Sequence, residues 1–147
     1  MLKIVTTVGT SLFENKFKED AGFRNIVARI ENRSASEYNN FQDEIIKIKQ
    51  TLKTFISSNP RTASAEVTST KLVREKYGKS SSIVLIASDT LISVVAAEVL
   101  NEYFNELKDD NVSIDSQFVK NDTHVIKDLQ VSDKSRFENS GLINLIN

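Results

Sequence analysis

Three stretches of the chain have the hydrophobic pattern of strands. Residues 2–8 form an apolar run rich in β-branched side chains, and residues 82–87 are apolar after an initial serine. Such runs without alternation are typical of strands that are covered on both faces, as in a parallel sheet. Residues 112–119 alternate more weakly and predict a third strand. We also expect a weak strand near residues 61–63 and a short strand around residues 124–129.

The segments between these strands have the spacing of helices. We predict helices over residues 20–33, 36–57, 63–77 and 91–107. The second of these has its apolar residues on one stripe, with Ser36 as its predicted N-cap and Pro60 just beyond its end. The fourth is apolar nearly all round, so we expect it to pack against the sheet and against a further surface, such as a second subunit.

Two expectations concern the third helix and the end of the chain. In the helix over residues 63–77 the inward positions are predicted to be Ala65, Ser69, Leu72 and Val73. Residues 134–147 have the apolar pattern of the start of a helix, and no residue there is a typical C-terminal cap. We therefore expect these 147 residues to be one domain of a longer natural chain.

The order of the predicted elements defines the fold class. A strand, several helices, a second strand, a helix and a third strand are typical of an α/β fold. Strands separated by helices run parallel, and the helices then cover both faces of the sheet. We predict a three-layer α/β/α arrangement around a mainly parallel sheet.

Composition narrows the classes of partner. The chain is 39% hydrophobic and 27% charged, with a formal net charge of −1, so it presents no overall positive field for a long nucleic acid. A small anionic ligand that is held by a few local groups remains compatible with this charge. The sequence has no cysteine, in keeping with a cytoplasmic location, and no signal peptide or membrane-spanning apolar run.

Two loops follow the two strongest strands and are the main candidates for a site. Gly9, Thr10 and Ser11 follow the first strand, and the segment 88–90 (Ser-Asp-Thr) follows the second. Because ligands of open α/β sheets bind outside the carboxyl ends of the strands, these loops can line one crevice. The alternative is that the first is an ordinary turn and the second a helix cap.

A third candidate segment lies at the start of the helix over residues 63–77. Glu66 and Ser69 either face the same crevice or, in the case of Glu66, stabilise the helix through its dipole. Other chemistry has little support. The G-x-G-x-x-G, Walker and G-x-S-x-G patterns are absent, and His124 is the single histidine, so we expect no metal and no cofactor.

Four segments in order resemble CRISPR-associated Rossmann-fold (CARF) domains. Residues 5–12 are similar to the opening of such domains, and residues 63–69 to a helix-start motif in one branch of the group. Residues 84–90 resemble the second ligand loop of CARF domains, and residues 125–130, with Phe137 and residues 141–142, resemble their closing segment. Each motif is short, but together they extend over most of the chain.

The resemblance implies a Rossmann-like fold, a homodimer and a ligand. CARF domains bind cyclic oligoadenylates, made by type III CRISPR complexes, in a cleft across the dimer axis. The resemblance implies that the ligand contacts two sets of residues, and among cyclic oligoadenylates it favours cyclic tetra-adenylate. The first set is Gly9, Thr10, Ser11, Ser88, Asp89 and Thr90, and the second, carried over less directly, is Glu66 and Ser69.

The resemblance leaves two activities open. Many CARF domains are sensors that regulate a fused effector, often a HEPN ribonuclease, whose R-x-x-x-x-H motif is absent here. Others are ring nucleases, in which a ribose 2′-hydroxyl attacks the adjacent phosphate without a metal. In that case Ser11 is the candidate catalytic residue, although no lysine follows the segment 88–90. An enzyme acting on another nucleotide is a third, unrelated interpretation.

Overall fold

The computed structural model describes residues 2–77, 81–107 and 114–120. These residues form a mixed α/β structure that is mostly helical and contains a small parallel sheet. The elements in chain order are β1 (Leu2–Thr7), α1 (Ser11–Glu19), α2 (Ala21–Val27), a 3₁₀ helix (Ala35–Phe41), α3 (Gln42–Ser58), α4 (Ala65–Tyr77), β2 (Ser81–Ala87), α5 (Leu91–Glu106) and β3 (Ile114–Lys120).

The three described strands lie side by side in the order β1-β2-β3, and both pairs are parallel. Thr7 lies opposite Ile86, and the Val8 N–H donates to the Ile86 carbonyl at 2.9 Å, so the first two strands end at the same level. The strands predicted over residues 2–8, 82–87 and 112–119 are confirmed here as β1, β2 and β3 in the residues that are described. Their parallel direction places the loops after β1 and β2 next to each other at one edge of the sheet.

The first helical segment differs from its prediction. The predicted helix over residues 20–33 is present only as the short helix α2; α1 precedes it, was not predicted, and ends next to Asp20. Asp20 is extended, and its carboxylate accepts the Phe23 N–H at 3.2 Å, which caps α2. α2 then ends at Val27, and Asn32 adopts a left-handed conformation with φ of 64°, which breaks the predicted helix.

The predicted helix over residues 36–57 is present but begins differently. Its first part is the 3₁₀ helix, and the N-cap is Ser34 rather than Ser36. Ser34 and Glu37 form a reciprocal capping box, in which the Glu37 carboxylate accepts the Ser34 N–H at 3.2 Å. The weak strand expected near residues 61–63 is wrong, because these residues form the turn that leads into α4.

α4 is present where predicted, but it is rotated relative to the expected face. Leu72 is 61% exposed, whereas Glu66, Val67 and Thr70 are buried. Of the positions predicted to face inward, Ala65 and Ser69 are also exposed and Val73 is half-buried. The reason is that polar side chains occupy the inner face here, which a pattern based on apolar residues assigns to solvent.

α5 is buried on several sides, as its sequence predicts. It packs on β2, β3, α3 and the 3₁₀ helix. Lys49 on α3 pairs with Glu98 at 2.9 Å and with Glu102 at 3.3 Å on α5, and the Tyr38 hydroxyl donates to Glu98 at 2.9 Å. Burial raises the pKa of Tyr38, and Glu98 raises it further. These contacts fix the orientation of α5, whose first turn borders the loop after β2.

Several expectations lie outside the described residues. They are the strand around residues 124–129, the helix start at residues 134–147, and His124. Within residues 2–77, 81–107 and 114–120, none of the helices has the length and apolar composition needed to cross a membrane.

Candidate functional site

A cleft of about 520 Å³ opens where the loops after β1 and β2 meet. Five of its ten described lining residues carry a side-chain hydroxyl: Thr7, Thr10, Ser88, Thr90 and Ser93. The other lining residues are Val8, Gly9, Asn32, Arg33 and Ile92. The volume lies in the range of small-molecule sites, which is roughly 300–1,000 Å³. The cleft therefore offers hydroxyl donors and acceptors and one cationic side chain, at the carboxyl ends of two parallel strands.

Ser93, in the first turn of α5, connects the two loops. The residue is 5% exposed; its hydroxyl donates to the Val8 carbonyl at 3.3 Å and accepts the Ser88 N–H at 2.9 Å. The Ser93 N–H in turn donates to the Thr90 hydroxyl at 3.2 Å, so Thr90 is the N-cap of α5. One buried hydroxyl thus bridges the two loops just beyond the point where the paired strands end.

The third wall is the segment 32–34. The Leu91 N–H, at the start of α5, donates to the Arg33 carbonyl at 3.0 Å, and Ser34 forms an antiparallel bridge with Thr90. This backbone pairing supplies a partner to a first-turn N–H of α5 that has none within the helix. It also holds Arg33 beside the cleft, next to the left-handed residue Asn32.

Glu66 lies behind the first loop rather than in the cleft lining. Its carboxylate is buried, with 5% of the residue exposed; Oε2 accepts the Gly9 N–H at 3.4 Å, and Oε1 has no hydrogen-bond partner. Glu66 is therefore in contact with a predicted ligand residue. The Gly9 N–H is already engaged with a carboxylate.

The remaining predicted residues are divided between the cleft and its surroundings. Ser11 accepts the Ala65 N–H at 2.9 Å through its hydroxyl oxygen, so it joins α1 to the start of α4 and is not among the lining residues. Ser69 is exposed on α4, and its hydroxyl donates to the Glu66 carbonyl at 3.4 Å. Asp89 is half-buried and also lies outside the lining.

The structure thus brings four of the predicted residues into one cleft: Gly9, Thr10, Ser88 and Thr90. Asn32, Arg33, Ile92 and Ser93 also line the cleft and were not predicted from the sequence. A serine in an otherwise apolar helix was the available signal for Ser93. For the segment 32–34 no local signal existed, because its position depends on backbone pairing with α5. In the part of the chain that the structure describes, no group of acidic or histidine side chains has the arrangement of a metal site.

Comparison with known proteins assigns the chain to a protein family. The profile of a protein family described as "CRISPR-associated protein (Cas_APE2256)" matches residues 61–147, which is more than half of the chain. The chain belongs to this family of CRISPR-associated proteins. No curated protein matches the chain.

The matched part of this CRISPR-associated protein includes one wall of the cleft. α4, β2, the segment 88–90 and α5 all lie within residues 61–147. The first loop and the segment 32–34 precede the match. The association with CRISPR systems that the sequence motifs indicated is therefore confirmed, and the finer resemblance to CARF domains stays a hypothesis.

Proposed function

We propose that this CRISPR-associated protein is a CARF-type sensor that binds a cyclic oligoadenylate. The observation that carries the proposal is the cleft formed by Gly9 and Thr10 on one side and Ser88 and Thr90 on the other. The positions of these residues were predicted from the CARF likeness, and they line one cleft at the end of two parallel strands. Family membership supplies the biological context, since the family is CRISPR-associated.

The chemistry of the cleft suits a ribose-phosphate ligand. Hydroxyl side chains can donate to phosphate oxygens and exchange hydrogen bonds with ribose hydroxyls. The Thr10 hydroxyl donates to Glu14 at 3.0 Å, and no side-chain hydrogen bond caps α1 at Thr10. The first N–H groups of α1 therefore have no side-chain acceptor at the cap, and Glu14 is the one negative charge in the first turn of α1.

A homodimer is part of the proposal. A cyclic oligoadenylate repeats one nucleotide, and a two-fold dimer presents the same cleft to both halves of such a ring. Each protomer then contributes one pair of loops, and the proposed fold of the protomer is the three-layer Rossmann-like arrangement. An effector region in a longer natural chain would receive the signal.

The ring-nuclease alternative has less support. Its candidate catalytic residue, Ser11, uses its hydroxyl oxygen to accept the Ala65 N–H and lies outside the cleft lining. A group that orients a ribose hydroxyl has to touch the reacting nucleotide. The contacts of Ser11 thus favour a binding protein over an enzyme.

Isothermal titration calorimetry tests the proposal. Wild-type protein is titrated with cyclic tetra-adenylate and cyclic hexa-adenylate, with linear tetra-adenylate and AMP as ligand controls. We expect wild-type protein to bind one of the two cyclic ligands. Thr10→Val, which loses one lining hydroxyl, should bind it two- to tenfold more weakly. Thr54→Val, at an exposed position of α3, should bind it as wild type does. Binding of AMP alone contradicts the proposal. A linear product ending in a 2′,3′-cyclic phosphate would establish the ring nuclease instead.

A further inference from the structure

We propose that the Arg33 guanidinium binds a phosphate of the ligand in this cleft. Without ligand the guanidinium is paired with Glu37, and the phosphate replaces the Glu37 carboxylate when the ligand binds. This inference rests on the proposed function and assigns the charge recognition at that same site. Among the described residues that line the cleft, Arg33 is the one with a cationic side chain. An anionic ligand in this cleft therefore has one described source of charge-assisted hydrogen bonds.

The position of Arg33 is fixed by its backbone. Asn32 has φ of 64°, a conformation that asparagine tolerates better than most residues and that turns the chain away from α2. The Arg33 carbonyl then accepts the Leu91 N–H at 3.0 Å, and Ser34 pairs with Thr90. The base of the side chain is thus tied directly to the loop that carries two of the lining hydroxyls.

The guanidinium is held by weak and exchangeable contacts. Nη1 lies 3.4 Å from Glu37 Oε1, and the guanidinium carbon lies 5.3 Å from the centroid of the Phe41 ring. The Arg33 side chain is 50% exposed and that of Glu37 is 33% exposed. Exposed ion pairs of this type contribute little to stability. A phosphate can therefore displace the Glu37 carboxylate at low cost, while stacking on Phe41 keeps the guanidinium plane oriented.

Glu37 has a second role that makes a clean variant available. Its Oε2 accepts the Ser34 N–H in the capping box, while its Oε1 faces Arg33. Glutamine also serves in a capping box, so Glu37→Gln keeps the cap and removes the negative charge that competes with a phosphate for Arg33. Arg29 provides a matched control, because it forms a comparable exposed ion pair with Glu44 and does not line this cleft.

The test is calorimetric titration of cyclic tetra-adenylate into the full chain and its variants. We expect Arg33→Gln to bind roughly ten- to a hundredfold more weakly than wild type, the range for loss of one charge-assisted contact. Arg33→Lys should lie between the two, because lysine keeps the charge but lacks the planar fork. Arg29→Gln should equal wild type, and Glu37→Gln should bind as tightly as wild type or up to about fivefold more tightly.

A second readout separates binding from a structural role. If Arg33 contacts a phosphate, the affinity of Arg33→Gln should depend less on salt concentration than that of wild type, while both unfold at similar temperatures. Equal affinity of Arg33→Gln and wild type overturns the inference and leaves the proposed function standing, as does weaker binding by Glu37→Gln. Absence of any cyclic-oligoadenylate binding by wild type refutes the proposed function, and this inference with it.

Discussion

The buried hydroxyl of Ser93 is the most informative single atom to remove. Ser93→Ala deletes the oxygen that accepts the Ser88 N–H at 2.9 Å and donates to the Val8 carbonyl at 3.3 Å. The substitution adds no bulk, so it tests the hydrogen bonds and not the packing. Loss of this atom leaves two backbone groups of the cleft without their side-chain partner.

The expected magnitude follows from the burial of the two partners. A buried group that loses its partner costs about 1–3 kcal/mol. The Ser88 N–H borders the cleft, where water can replace the lost contact, so most of the cost falls on the Val8 carbonyl. Alanine recovers about 0.5 kcal/mol through its higher helix propensity. We therefore expect a net loss of about 1–2 kcal/mol, or about 2–8 °C in Tm for a chain of this length.

Urea unfolding and amide hydrogen exchange measure this effect together. Ser93→Ala should lower the free energy of unfolding and remove the exchange protection of the Ser88 amide. Ser57→Ala, at an exposed position of α3, is the matched control and should leave both unchanged. Unchanged protection of Ser88, together with a Tm within about 1 °C of wild type, would refute the role of Ser93 in joining the loops.

Three further predictions follow from described contacts. Gly9→Ala should unfold within about 0.5 kcal/mol of wild type, because the added Cβ meets only Glu66 Oε2 at 4.0 Å; a larger loss in urea contradicts this. Ser34→Ala should lose about 1 kcal/mol in the same assay through its capping box, and an unchanged midpoint would show that the cap is dispensable. Burial lowers the pKa of Lys49, but Glu98 and Glu102 outweigh this and raise the pKa above that of an ordinary lysine. The resulting stabilisation is full at neutral pH and is lost as the pH rises through the raised pKa, so the stability difference between wild type and Glu98→Gln should shrink above roughly pH 10; a constant difference is evidence against this pairing.

The sheet and the long helices were predictable because their signals are local. β2 is apolar at consecutive positions and α5 is apolar nearly all round, and both are buried as expected. The boundary errors come from polar residues that act over short distances. The carboxylate of Asp20 caps α2, and Asn32 adopts a left-handed conformation, so the helix predicted over residues 20–33 is reduced to α2 and a turn. α1, which ends just before Asp20, was not predicted.

The cleft was predictable only in its loops. The predicted parallel order placed the residues after β1 and β2 at one edge, and Gly9, Thr10, Ser88 and Thr90 do line the same cleft. Arg33 was not predictable, because its place in the cleft comes from a backbone contact with Leu91, far along the chain.

The contacts of Ser11 also could not be predicted from the sequence. Proximity to Gly9 along the chain indicated a ligand contact, whereas the helical direction of α1 brings its hydroxyl to the Ala65 N–H. The inner face of α4 was also predicted wrongly. Its inner face carries the polar residues Glu66 and Thr70, which only tertiary packing reveals.

A crystal structure of the protein with cyclic tetra-adenylate is the most direct test of the proposed ligand site. We expect the ligand between the loop at residues 9–10 and the loop at residues 88–90, shared by two protomers across a two-fold axis. We also expect a phosphate within hydrogen-bond distance of the Arg33 guanidinium. Ligand that is bound elsewhere on the protein, with this cleft occupied by water, would refute the proposed site.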